Sequence, residues 1–85
     1  MGGLLPNSVF RNYGNLTGSA NDADGNGSWY CAYNDGIPLP ELRFIGILSQ
    51  VIAGNLKLQL FASHTKRFFW RIYYSSWSDW KEMGG

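Results

Sequence analysis

The sequence predicts an all-β fold: a small antiparallel sheet or sandwich of four to five strands, with a long polar loop near the N-terminus. Three observations carry this. Residues 56–63 and 67–74 alternate between two sets of side chains, the period of a strand. Clusters of Gly, Asn, Asp, Ser and Pro punctuate the chain at short intervals, as turns do. No segment keeps an apolar period of about 3.6 residues over three turns, so helices have no support.

Taken in order, residues 7–13 predict a helical turn with Asn7 or Ser8 as its N-cap. From Gly14 to Ser28 the chain is almost wholly Gly, Asn, Asp, Ser, Thr and Ala, the composition of a long loop. Ser28 to Asn34 then reads as a first strand, closed by the turn pair Asp35-Gly36. Pro38 and Pro40 lack an amide to donate, which keeps 37–40 out of any central strand. Arg43 to Ile52 is the second strand, and Ala53-Gly54-Asn55 is a hairpin signal. The third, Asn55 to Ser63, sets Leu56, Leu58, Leu60 and Ala62 on one face against Lys57, Gln59 and Phe61 on the other. His64-Thr65-Lys66 turns into Arg67 to Tyr74, and Ser75-Ser76 into a last short strand, Trp77 to Glu82.

The uniformly apolar side of strand 67–74 carries Phe68, Trp70, Ile72 and Tyr74, and it is the natural core side. Phe68 and Trp70 are therefore expected in the core with Trp29, Trp77 and Trp80. The spacing Trp77-Ser78-Asp79-Trp80 places its two indoles on opposite sides of an ideal strand. The other side of 67–74 would present Arg67, Phe69, Arg71 and Tyr73 to the outside.

Eighty-five residues hold one domain, with a thin core. The single cysteine, Cys31, excludes an intrachain disulfide, and one Cys with one His excludes a zinc site. Four Trp, five Tyr and five Phe supply large apolar area instead, and subunit association is expected to add more. A formal charge of +1 gives no field toward nucleic acid or anionic membrane. No apolar run approaches the roughly 20 residues that cross a bilayer, so no membrane insertion is expected. Met-Gly-Gly at both ends reads as the boundary of a piece of a longer polypeptide.

Catalysis finds no machinery. His64 sits in a turn beside Lys66, and Cys31 lies within a strand, with no base or orienting group nearby in sequence. None of the six carboxylates lies in an apolar run that would raise its pKa for acid work. Asp22-Ala23-Asp24-Gly25-Asn26-Gly27 fits the first half of an EF-hand loop, but Tyr33 stands where the bidentate Glu belongs. Asp22 and Asp24 are left as a weak calcium candidate; otherwise no metal and no cofactor is expected. Lys66 to Arg71 mixes basic and aromatic residues, yet Phe68 replaces the glycine of the RRM octamer, so no nucleic-acid partner is expected. The face with Arg67, Phe69, Arg71 and Tyr73 suits a sugar, with ring faces for C–H groups and bidentate donors for oxygens. The polar loop with Asn21, Asp22, Asp24 and Asn26 is a second candidate contact.

These residues also carry a resemblance. Phe69-Trp70-Arg71-Ile72-Tyr73-Tyr74, then Ser75-Ser76, then Trp77-Ser78-Asp79-Trp80-Lys81-Glu82 resembles the ending of pyocin-knob domains. That ending is a hydrophobic strand with an Arg, a small polar turn, and W-S-x-W-[RK]-E. Gly27-Ser28-Trp29-Tyr30-Cys31, Ile45-Gly46-Ile47-Leu48 and Leu58-Gln59-Leu60-Phe61-Ala62-Ser63 resemble the family's earlier strands in order and spacing. The match covers about residues 14–83. The resemblance implies an antiparallel β knob on a homotrimeric phage tail fibre, tailspike or tailocin fibre. Its partner would be bacterial surface polysaccharide or a protein receptor, met outside the cell by the virion. Residues 1–13 would be a lead-in joining a fibre shaft, 14–83 the knob, and 84–85 a flexible tail. Two alternatives stand beside it: a structural trimerisation or capping module without receptor contact, and a carbohydrate-binding appendage of a bacterial enzyme.

Overall fold

The computed structural model describes residues 10–39 and 42–84. In chain order the strands are β1 (Arg11–Asn15), β2 (Gly27–Ala32), β3 (Ile45–Ala53), β4 (Leu56–Ser63), β5 (Phe68–Tyr74), β6 (Ser76–Trp77) and β7 (Lys81–Glu82). All seven belong to one sheet. Strands β2 to β5 form an antiparallel meander, β1 lies parallel to β2 at one edge, and β6 and β7 share the far side of β5. The all-β reading holds, with more strands than the four to five expected.

The added strands arise at both ends of the chain. The helical turn expected at 7–13 is not formed where the structure describes it, since Arg11–Asn15 is strand; Asn7 and Ser8 lie outside the described residues. At the other end, the single strand expected from Trp77 to Glu82 divides in two. Ser78 N–H donates to the Ile72 carbonyl while Ile72 N–H donates to Ser78 Oγ, which ends the β6 pairing. Residues 78–80 then swing out before β7 rejoins β5 at Phe69 and Trp70.

Short turns fix the register of the meander. Gly54, at φ 62°, closes the β3–β4 hairpin with Ala53 opposite Leu56. Gly46 in β3 has a different cause. A Cβ there would collide with the Ala62 carbonyl and the Phe61 ring, so only glycine lets β3 and β4 approach at that point.

A parallel β1–β2 pair requires a long crossover. Residues 16–26 make it, passing over one face of the sheet with a single 3₁₀ turn at Ala20–Asp22 capped by Ser19. Together with 33–39 and 42–44, this crossover covers that face and encloses the core. Trp29, Cys31, Leu48, Phe61 and Phe69 come from the sheet, and Ala20, Ala23, Ile37 and Phe44 from the covering segments. The crossover is mostly irregular, so its backbone carbonyls turn to the sheet for donors. Gln50, Gln59 and Arg71 stand side by side across β3, β4 and β5; the two glutamines supply them, while Arg71 donates to the side-chain oxygens of Gln59 and Asn21. Gln50 Nε2 donates to the Ala23 and Gly25 carbonyls, and Gln59 Nε2 to the Ala20 carbonyl and to Gln50 Oε1.

This polar row reverses the expected facing of the strands. The Phe69–Arg71–Tyr73 side of β5 turns inward, with Phe69 2% and Arg71 5% exposed. Phe68 and Ile72 are exposed and Trp70 is half-buried on the outer side. In β4 the Gln59–Phe61 side is buried and Leu56 is exposed. Phe68 and Trp70 are thus not core residues of the chain, whereas Trp29 is. The side chains that match the crossover's carbonyls had to face it, and the apolar set was left outside.

Candidate functional site

Five of the residues marked out in the sequence, Asn21, Arg71, Tyr73, Trp77 and Trp80, meet where the crossover passes over β5. Arg71 enters from the inner face of β5 and lies between two indoles, 4.0 Å from the Trp77 ring centroid and 4.5 Å from that of Trp80. Its Nε donates to Gln59 Oε1 at 2.9 Å and its Nη2 to Asn21 Oδ1 at 2.7 Å. Burial pulls this guanidinium down to about 10, still well above neutral pH, so the cation between the rings is intact under ordinary conditions. Trp80 Nε1 donates to the Gly36 carbonyl at 2.7 Å, and its ring meets the edge of Phe61. Trp77 meets Tyr73 at 5.2 Å between centroids, and Lys57 Nζ lies 5.1 Å from the Tyr73 centroid. The result is a continuous series of cations and rings: Lys57, Tyr73, Trp77, Arg71, Trp80.

The two tryptophans therefore act together, not on opposite sides as ideal strand geometry suggests. The detour at 78–80 brings Trp80 round to the second face of the same guanidinium. Both indoles stay half-buried.

The four residues expected to present one open face are spent differently. Phe69 is packed against Phe44 in the core. Arg71 is enclosed by the stack, and Tyr73 is half-buried beside Trp77. Arg67 reaches across the edge to Glu82, donating from Nε and Nη2 to the two carboxylate oxygens at 2.8 and 2.7 Å. That hydrogen bond holds the Glu82 carboxyl below the usual carboxylate range. Of the loop candidates, Asn21 is tied to Arg71, and Asn26 Oδ1 accepts from Ile52 N–H at 2.7 Å. Asp22 and Asp24 are exposed. Among the described residues, no group of three or more His, Cys, Asp or Glu side chains is placed to hold a metal ion.

The two nucleophile–base candidates are far from each other in role. Cys31 is buried, and desolvation pushes its thiol up to about 11, against a weaker lowering by a backbone hydrogen bond at Leu48. A thiol so placed is a poor nucleophile at neutral pH. His64 is exposed, and its Nδ1 accepts from Ile45 N–H at 3.1 Å.

Sequence reasoning missed the outer face of the sheet as a surface. Tyr30, Ile47, Ala62 and Phe68 form one row across β2 to β5; Val51, Leu58 and Ile72 form another. The signal was present in the alternation of β4 and β5, but it was assigned to the interior.

Comparison with protein-family models, with curated proteins and with solved structures found no match to this chain.

Proposed function

We propose that this chain is the non-catalytic, receptor-contacting knob of a phage or phage-tail-like fibre, working as a homotrimer against bacterial surface glycan. The observation that carries this reading is the packing of Arg71 between Trp77 and Trp80. Three of the residues on which the resemblance to pyocin-knob domains rests, Arg71, Trp77 and Trp80, form one packing unit, so their spacing has a physical reason. The high thiol value of Cys31 and the backbone engagement of His64 favour binding over nucleophilic chemistry.

Glycan contact falls at the rim of the stack. Half-exposed Trp77 and Tyr73 offer ring faces for sugar C–H groups, while Lys57, Asn21 and exposed Asp22 offer polar partners. Three copies on one fibre raise avidity even where each contact is weak. The place of action is the virion fibre outside the cell.

An array of bacterial surface polysaccharides probed with the assembled protein tests this. Retention of at least one glycan is expected, weakened roughly tenfold by Lys57→Ala or Asp22→Ala, the loss of a peripheral polar contact. Asp22 is exposed, so its loss should leave the melting temperature unchanged, while Lys57→Ala should lower it only slightly through the lost contact with Tyr73. A blank array overturns the glycan reading.

A second reading has a specific observation behind it. The bare apolar face of the sheet favours a purely structural trimerisation or capping module. Deleting the domain from a fibre would then cost assembly and not host adsorption.

A further inference from the structure

The outer face of the sheet has no protein over it among the described residues. Tyr30, Ile47, Val51, Leu56, Phe68 and Ile72 are each between 38 and 53% exposed there. They stand with half-buried Leu58, Leu60 and Trp70 on the same side of four consecutive strands. No charged side chain of β2 to β5 points to this side; the charged residues of β4 and β5, Lys57 and Arg71, face the other way. The exposed apolar area is on the order of 700 Å², beyond the roughly 300–600 Å² of the largest patch on a typical monomer. It approaches the roughly 800 Å² that each partner contributes to a standard stable interface.

We propose that this face is where copies of the chain pack on one another, sheet face to sheet face. The chemistry selects the occupant. A glycan, a nucleic acid or an anionic membrane surface needs polar or cationic groups, and the face of β2 to β5 offers none beyond Ser28, Ser49, the Trp70 indole N–H and the Tyr hydroxyls. A second pleated apolar face suits it, because such faces interdigitate at about 10 Å. The face has relief for this: a shallow hollow of about 270 Å³ lined by Val51, Ala53, Leu56, Lys57, Leu58 and Ile72, almost wholly through apolar atoms, away from exposed Tyr30, Ile47 and Phe68. A net charge of +1 sets up little repulsion between copies. A chain with so thin a core also gains burial by association. The inference names the face that the trimeric reading needs, yet draws only on the sheet.

Sedimentation analysis of the purified chain tests it, with Ile47→Lys and Ile72→Lys alongside. The wild type should sediment as two or three chains, and either lysine should weaken association at least about 30-fold, as for loss of a central contact. The circular dichroism of the variants should keep its β-sheet signal. The double variant Leu56→Ala, Tyr74→Ala removes area without adding charge and should weaken association about tenfold. A monomeric wild type, or an oligomer indifferent to all these changes, overturns the proposal. A dimer that the lysines dissociate upholds this interface while removing the trimeric fibre reading. A blank glycan array beside a lysine-sensitive trimer removes the glycan reading and leaves the interface standing.

Discussion

Arg71 concentrates much of the fold's polar chemistry in one side chain. It closes the space between Trp77 and Trp80, satisfies Gln59 Oε1 and holds Asn21. Arg71→Ala removes all three relations and leaves the buried Gln59 Oε1 without a donor. Urea denaturation should show a loss of about 2–4 kcal/mol. Arg71→Lys keeps the charge but lacks the planar fork that matches two rings and two acceptors, so it should recover less than half of that loss. Cys31 makes a second prediction at this scale. Its folded-state value of about 11 lies above the ordinary 9.0, so the unfolded chain gives up the proton first as pH rises. The associated stability is complete below pH 9 and is lost on rising through about pH 11, on the order of 2–3 kcal/mol. Comparing alkaline unfolding of the wild type and Cys31→Ala isolates it from tyrosine titration; equal pH slopes would contradict it.

At the scale of elements, the crossover depends on its donors. Gln59→Leu orphans the Ala20 carbonyl, Gln50 Oε1 and the Arg71 Nε–H. A cost of about 1–3 kcal/mol is expected, with amide exchange accelerated first in residues 16–26. Uniform acceleration across β2 to β5 instead would show that the crossover is not the unit released. The β5–β7 edge carries a smaller, pH-dependent tie. Because Arg67 lowers the Glu82 carboxyl, its contribution is present above the ordinary carboxylate value and fades as pH falls through the lowered one. The pair is exposed, so the effect is small; Glu82→Gln should flatten the acid limb of the melting curve slightly and leave neutral pH nearly unchanged.

Strands β3, β4 and β5 were legible in the sequence because period-two alternation follows from backbone geometry alone. Their facing was not. Hydropathy marks the side that avoids water, and Leu56, Leu58, Phe68 and Ile72 satisfy that equally well against another chain. The clue lay in pairing: Gln50, Gln59 and Arg71 are polar at positions that the register sets side by side, and three such residues in a row want irregular backbone above them. Strand β1 was hidden because Arg-Asn-Tyr-Gly-Asn carries turn-forming residues, and its parallel pairing depends on a crossover no local pattern announces. The partnership of Trp77 with Trp80 was likewise beyond ideal strand geometry, since it needs the excursion at Ser78 to Trp80.

For the whole molecule, the two faces of the sheet have separate jobs. One is closed by the chain's own crossover, and the other is the face proposed to meet a second copy. Folding and association are then linked, and the melting temperature should rise with protein concentration in the wild type but not in Ile47→Lys. Identical concentration dependence in both would break the link. On the proposed association, a domain so small tolerates a polar interior row because further apolar burial would come with assembly.

The manner in which the crossover is fastened has a further consequence. Gln50 and Gln59 seize the carbonyls of Ala20, Ala23 and Gly25, atoms that every amino acid possesses. Identity is constrained at a few positions: the small buried methyl groups of Ala20 and Ala23, Asn21 through Arg71, Gly25 at φ 106°, and Asn26 through Ile52 N–H. The exposed side chains of Asp22 and Asp24 are therefore free to be rewritten. A scaffold that grips its loop by the main chain can exchange recognition surfaces rapidly under selection, or in a randomised library, without renegotiating its fold.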